Sequence, residues 1–135
     1  MTTATRALTF LEPSLVYRLD AGISGSMGLC LILLAGPLTT LAGWPPMQMI
    51  LLGAGIFLLP WALFNWATGA AGRPDPVSVT LNILGDGLWV LLSLALLVLH
   101  SAQMTPIGVT LIAAQALAVA AVFVTKFAGR RTLLA

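Results

Sequence analysis

The sequence predicts an all-α membrane protein, a four-transmembrane-helix bundle made of two in–out–in hairpins with both termini cytoplasmic. Of the 135 residues, 59% are hydrophobic and only 7% are charged, and the mean hydropathy is +1.04. Soluble domains carry roughly a quarter charged residues, so this composition excludes a small soluble protein. A helix needs about 20 apolar residues to cross roughly 30 Å of hydrocarbon, and the chain contains four such runs.

Short turn-forming segments separate the four predicted spans. The spans cover residues 21–42, 46–68, 76–99 and 105–125. They belong to one transmembrane domain, residues 14–131. Pro13 suits the first turn of a helix, where its missing N–H costs nothing, and residues 1–13 are predicted as an N-terminal tail or interfacial segment. Residues 132–135 are predicted as a C-terminal tail.

The placement of basic residues predicts the orientation. The six Lys and Arg residues are Arg6, Arg18, Arg73, Lys126, Arg130 and Arg131. They fall in the N-terminal segment, the middle loop and the C-terminal segment, whereas the turns at 43–46 and 100–105 contain none. Because cytoplasmic loops carry the excess of Lys and Arg, we expect an inner-membrane protein with both termini in the cytoplasm. The net charge of +2 is assigned to this role and not to nucleic-acid binding.

Small residues recur along three of the predicted helices and indicate close packing. Such residues let helix backbones approach each other in lipid. The predicted packing residues are Gly22, Ser24, Gly25, Gly28, Gly53, Gly55, Gly85 and Gly87. An offset of 60 residues also aligns Gly25 with Gly85 and Pro46 with Pro106, which either reflects an internal duplication or is a chance match between apolar segments.

The third predicted span carries the strongest functional candidate, Asp86. Asn82, Trp89 and Ser93 follow the same helix face, because a helix repeats every 3.6 residues. A polar face in a membrane helix turns towards the bundle interior. With helical rise as the scale, Gln115 on the fourth span and Ser26 on the first lie at a similar depth. The predicted ligand-binding or proton-binding residues are Asp86, Asn82, Trp89, Gln115, Ser93 and Ser26.

Asp86 is expected to have no Lys, Arg or His at its depth. Burial disfavours the charged form of a carboxyl group, which leaves three possible states. Asp86 is protonated and donates a hydrogen bond to Gln115, Asn82 or a carbonyl, or it titrates in a wet cavity, or it binds a cation. A protonated aspartate that merely holds the helices together is the structural alternative.

The remaining polar residues predict little chemistry. Asp20 is expected to form an interfacial ion pair near Arg73 and Lys126, and Cys30 is predicted as a small apolar filler. One His without clustered acids argues against a metal site, and no phosphate-binding loop, nucleophile elbow or haem motif is present. We therefore predict no metal, no cofactor and no enzymatic activity.

The pattern Asn82-x6-Trp89-x3-Ser93, followed by Thr105-Pro106-x-Gly108, Gln115-Ala116 and Gly129-Arg130-Arg131, resembles a group of small, uncharacterised bacterial four-span proteins. The resemblance covers roughly residues 14–131 and implies the fold and an inner-membrane location, but no catalytic residue. The chain also has the size of small multidrug transporters, but it lacks the acidic residue that this family carries in the core of its first span.

Two classes of function follow. The first is an accessory or assembly subunit, or a small oligomeric module, that packs through glycine-rich helix faces against itself or a larger membrane complex. The second is a proton-linked transporter or a bundle that binds a small ligand or lipid, centred on Asp86. The lipid bilayer is the expected environment in both.

Overall fold

The computed structural model describes residues 12–135, and within this range the chain forms four long helices, one 3₁₀ turn and no strand. The helices are α1 (Pro13–Ala42), α2 (Met47–Ala70), α3 (Pro76–His100) and α4 (Pro106–Leu134), and the 3₁₀ turn (Ser101–Gln103) follows α3. Each helix is long and apolar enough to span a membrane. The prediction of an all-α bundle with four helices long and apolar enough to span a membrane is therefore confirmed. The predicted N-terminal tail, apart from Glu12 and Pro13, lies outside the described residues.

Local sequence signals set the helix ends. The side chain of Asp75 accepts a hydrogen bond from the backbone N–H of Ser78 (3.2 Å) at the start of α3. The hydroxyl of Thr105 accepts one from Gly108 (3.2 Å) at the start of α4. Such caps satisfy N–H groups that have no partner within the helix. Proline occupies the first helical position of α1, α3 and α4.

The two short turns meet at one end of the bundle. Gly43 ends α1 in the left-handed conformation (φ 65°), which glycine adopts without steric penalty. The backbone N–H of Thr105 donates to the carbonyl of Ala42 (2.9 Å). The rings of Trp44 and His100 stack at a centroid distance of 4.5 Å. These contacts tie the α1–α2 turn to the α3–α4 turn.

The helices pack in a ring that has one looser side. α1 packs along both α2 and α4, and α3 packs along α4, whereas α2 and α3 have the fewest backbone contacts of the four neighbouring helix pairs. Aromatic side chains fill the space between α2 and α3. The Trp61 ring lies directly over Gly85, and Phe57 stacks with Trp89 at 6.3 Å.

Glycines bring α1 and α2 into close contact. A Cβ atom on Gly28 would lie 2.9 Å from the carbonyl oxygen of Gly55, and one on Gly55 would lie 2.8 Å from that of Gly28. A Cβ atom on Gly25 would rest against Ala62 at 3.6 Å. These small residues therefore pack helices within the chain.

The other predicted packing residues differ in what they face. The Gly85 position contacts Trp61, and a Cβ atom on Gly87 would lie 3.2 Å from Phe123. Ser24 is buried and points to Asp20. Gly22 and Gly53 have no described atom within 4 Å of an added Cβ atom, so they lie on the outer surface of the chain.

Gly28→Ala is expected to lower the free energy of unfolding by about 1–3 kcal/mol, because the new methyl group overpacks the α1–α2 contact. Gly53→Ala is the matched control, since its methyl group enters open space and alanine is the better helix former by about 1 kcal/mol. Thermal unfolding of both variants in detergent measures the difference. Equal stability of the two variants would contradict the close approach of α1 and α2.

The fourth helix is longer than predicted. It continues past Thr125, the predicted end of the span, to Leu134. The predicted C-terminal tail is therefore helical up to Leu134. The prediction ended the span at the first charge, Lys126, but that side chain is buried in the bundle, so it gives the helix no reason to stop.

Candidate functional site

The ammonium group of Lys126 lies where all four helices meet. Its side chain is fully buried, and its Nζ donates to Asp20 Oδ2 (2.6 Å) on α1 and to Asp86 Oδ2 (2.7 Å) on α3. It also lies 2.9 Å from Asn65 Oδ1 on α2 and 2.6 Å from Asn82 Oδ1 on α3. We call these five residues the Lys126 cluster. It connects every helix of the described chain through one side chain.

The expectation that Asp86 has no cation at its depth is wrong. Lys126 lies eight residues before Leu134, and Asp86 lies ten residues after Pro76. With a rise of 1.5 Å per residue, these positions are about 12 Å and about 15 Å inside their helix ends. Because α4 extends beyond Lys126, the lysine does not sit at the rim of the bundle but reaches the aspartate directly.

The predicted ion pair between Asp20 and Lys126 is confirmed, but its setting differs from the prediction. The pair is not interfacial, since the Lys126 side chain is 0% exposed and that of Asp20 only 13%. Arg73, the other predicted neighbour, is exposed in the loop before α3. Asp20 therefore belongs to the buried site and not to the surface.

Secondary hydrogen bonds hold the oxygens towards the ammonium. The Nδ2 of Asn82 donates to Asn65 Oδ1 (3.1 Å), and the Nδ2 of Asn65 donates to a backbone carbonyl of its own helix (3.2 Å). Ser24 Oγ donates to Asp20 Oδ1 (3.0 Å). Asn65 and Asn82 are both 0% exposed. Buried polar groups of this kind fix a single arrangement of the helices when every member is satisfied.

The Lys126 cluster contains more acceptors than donors. An ammonium group carries three N–H donors, but four side-chain oxygens lie within 2.9 Å of Nζ. It carries one positive charge, whereas Asp20 and Asp86 carry two negative charges when both are ionised. One additional proton would therefore supply both the missing donor and the missing positive charge, whereas one monovalent cation would supply the charge.

Tyr17 lies beside the cluster. Its ring centroid is 4.9 Å from the Lys126 Nζ, which is a cation–π distance. The residue is 1% exposed, and its hydroxyl has no hydrogen-bond partner among residues 12–135. A buried hydroxyl without a partner costs about 1–3 kcal/mol. The bundle interior thus retains an unused donor next to the charged group.

A cavity of about 160 Å³ adjoins the cluster and has walls from all four helices. We call it the central cavity. Its polar lining comes from Asp20, Ser24, Asp86 and Gln115. Its aromatic lining comes from Phe57, Trp61 and Trp89. The carboxyl groups and the aromatic rings therefore face the same space, a combination that suits a small organic cation.

A second polar group lies farther along the central cavity. Trp89 Nε1 donates to Gln115 Oε1 (2.7 Å), and Gln115 Nε2 donates to Ser93 Oγ (2.8 Å). The Gln115 amide is thus bonded to Trp89 and Ser93 and not to Asp86. Ser26, the remaining predicted site residue, is exposed on α1 and does not line the cavity.

The sequence predicts Asn82 and Asp86 as site residues, but it does not predict the other members of the Lys126 cluster, Lys126, Asp20 and Asn65, or the adjacent Tyr17. The sequence predicts Lys126 and Asp20 near the membrane surface, and it predicts no functional role for Asn65 and Tyr17. Asn65 is a polar residue inside an apolar span, and the same feature indicates a functional role for Asp86. Lys126 would have met the same criterion if the fourth span had been extended to Leu134.

The residues described do not gather a metal site. Within residues 12–135, no group of three His, Cys, Asp or Glu side chains comes together. In the cluster, the Lys126 ammonium itself occupies the position between the two carboxyl groups.

No family model matches the chain, and no curated protein and no solved structure shows significant similarity to it.

Proposed function

We propose that this protein is a small membrane bundle in which a proton and a small organic cation compete for the Asp20–Asp86 pair. This is the binding behaviour of a proton-linked transporter or exchanger. The observation that carries the proposal is the position of two carboxyl groups, which share a single lysine, at the wall of an aromatic-lined cavity. An ionisable group inside a membrane span marks a substrate, ion or proton pathway by default.

The size of the central cavity limits the ligand. A dry apolar cavity of about 150 Å³ is known to accept benzene, and the central cavity has about 160 Å³. Cations over aromatic faces gain roughly 0.5–2 kcal/mol, more when they are desolvated. A protonated amine or quaternary ammonium ion with a few carbon atoms therefore fits in both volume and charge.

The proposal also includes an orientation of the helices in the membrane and a cellular location. Arg18, Arg73, Arg130 and Arg131 belong to the segments predicted to be cytoplasmic, so the positive-inside rule favours two in–out–in hairpins with both termini in the cytoplasm. The resemblance to small bacterial four-span proteins favours the inner membrane.

The test is binding of tetramethylammonium to the full chain in detergent, measured by isothermal titration calorimetry. We expect saturable binding that weakens as the pH falls, because protons and the cation compete. The binding enthalpy should vary with the ionisation enthalpy of the buffer, because the cation displaces a proton. Tetraethylammonium should bind more weakly, since it exceeds the cavity.

Asp86→Asn should raise the Kd for tetramethylammonium at least tenfold, because it removes the negative charge that the ligand balances. Asp75→Asn is the matched control, since Asp75 is exposed at the N-terminus of α3, and it should leave the Kd unchanged. Equal affinities of the wild type and Asp86→Asn, or the absence of saturable binding, would contradict the proposal.

A second candidate function is an accessory or oligomeric module. The observation that favours it is that Gly22 and Gly53 face outwards with no described neighbour within 4 Å, and small residues mark helix–helix contacts in membranes. Gly53→Leu should then dissociate a complex that is seen with the wild type in analytical ultracentrifugation. Under this function, Asp86→Asn would leave the assembled protein intact and produce no binding defect.

A further inference from the structure

We propose that the outer groove between α1 and α2 is a binding site for an anionic phospholipid, with the lipid phosphate on Arg18 and one acyl chain along the groove. The groove has a volume of about 510 Å³. It lies on the opposite side of α1 from the central cavity. From α1, Arg18, Gly22 and Leu29 line the groove, whereas Asp20 and Ser24 line the central cavity. It is therefore a separate site.

Small residues form the floor of this groove. Gly22, Gly25 and Ala62 leave the backbones of α1 and α2 close to the surface, and leucine side chains form the walls. Gly22 has open space where its side chain would be. Arg18 and Leu29 are eleven residues apart on α1, which corresponds to about 16 Å along the helix. This is about half of the roughly 30 Å hydrocarbon thickness, so the groove matches the acyl chain of one leaflet.

Arg18 provides the charge at the end of the groove. Its Nε donates to the carbonyl oxygen of Gly69 (3.2 Å), which anchors the guanidinium group at the junction of α1 and α2. The residue is exposed, and no carboxylate within residues 12–135 forms an ion pair with it; the ion pairs of this range both involve Lys126. The terminal nitrogens therefore remain available for the paired hydrogen bonds that arginine makes to a phosphate group.

Trp66 supports the same assignment. It lines the groove near the Arg18 end and is 55% exposed. Tryptophan is enriched at the level of lipid headgroups, where its ring is half apolar and half polar. A cation, an interfacial tryptophan and an apolar groove of one-leaflet length together fit a phospholipid with negative charge.

The test compares lipid retention by native mass spectrometry after the full chain is mixed with phosphatidylglycerol or phosphatidylcholine in detergent. We expect one tightly held phosphatidylglycerol, retained at least threefold better than phosphatidylcholine. Arg18→Gln should remove this preference. Arg73→Gln is the matched control, because Arg73 is exposed in the α2–α3 loop and does not line the groove, and it should keep the preference.

Gly22→Leu tests the contribution of the groove to lipid binding independently of the Arg18 charge. Its side chain enters open space, so the fold should be kept, but it fills the groove and should reduce the retention of both lipids. Equal retention of the two lipids by the wild type, or an unchanged preference in Arg18→Gln, would overturn the proposal. So would a Gly22→Leu variant that converts a dimer to a monomer without changing lipid retention, because the groove would then hold a second copy of the chain. None of these results depends on cation binding in the central cavity.

Discussion

Replacing Lys126 with methionine is expected to lower the free energy of unfolding by about 3–5 kcal/mol, which makes it one of the most damaging single substitutions in the chain. The variant keeps an unbranched apolar stem of similar length but removes the ammonium that lies 2.6 Å from Asp20 and 2.7 Å from Asp86. Breaking a buried pair by removing one partner leaves an uncompensated charge in a medium of low polarity. Thermal or chemical unfolding in detergent measures the effect.

Arg131→Met is the control, because Arg131 is exposed near the end of α4, and it should change stability by less than about 0.5 kcal/mol. Combining Lys126→Met with Asp20→Asn and Asp86→Asn removes both uncompensated carboxylates. This triple variant should recover most of the loss, since replacing a whole buried charge group is often close to neutral. A Lys126→Met variant as stable as Arg131→Met would show that the cluster does not hold the helices together.

Trp61→Ala is expected to cost about 3 kcal/mol, within the range for removing a large aromatic side chain from a packed site. The Trp61 ring covers Gly85, stacks with Phe57 at 5.6 Å and contacts Phe64 edge-on at 5.4 Å. Among the described residues, the contact of Trp61 with Gly85 joins α2 to α3 together with the Phe57–Trp89 stack and the Asn82–Asn65 hydrogen bond. Trp66→Ala is the matched control on the same helix, because Trp66 lies on the outer surface, and it should cost much less.

The contact between Trp61 and Gly85 gives a sharper form of this prediction. Gly85→Ala alone should destabilise the protein by about 1–3 kcal/mol, because its methyl group would overlap the indole ring. In the Trp61→Ala background the same change should be neutral or stabilising by up to about 1 kcal/mol, since alanine is the better helix former. Additive effects in this double-mutant cycle would mean that the two residues do not touch.

The architecture could be predicted because membrane helices have a strong one-dimensional signal. A run of about 20 apolar residues specifies a helix whatever it packs against. The C-terminal ends of three of the four predicted spans lie within two residues of the ends of the observed helices, whereas the fourth span is predicted to stop before Lys126 and α4 continues to Leu134. A charge normally ends a span, unless the bundle itself satisfies that charge. The oxygen atoms that satisfy the Lys126 charge belong to α1, α2 and α3. The sequence of α4 alone therefore does not reveal them.

The candidate site was only partly predictable for a related reason. Asp86 could be identified because it is acidic and lies inside a span, whereas its partner is determined by the relative depth of two helices that are far apart in the sequence. An error of a few residues in a helix end moves a side chain by a full turn or more.

The most direct test of the Lys126 cluster uses the fact that Lys126 is the only lysine in the chain. The protein is labelled with ¹⁵Nζ-lysine and ¹³Cγ-aspartate and reconstituted in lipid. Solid-state NMR then measures whether the single ammonium nitrogen has a dipolar coupling to each of the three aspartate carboxyl carbons. We predict strong coupling to two carboxyl carbons, one lost in Asp20→Asn and the other in Asp86→Asn, and none to Asp75. A lysine signal without coupling to either carboxyl carbon would contradict the buried cluster, and with it the proposed binding site.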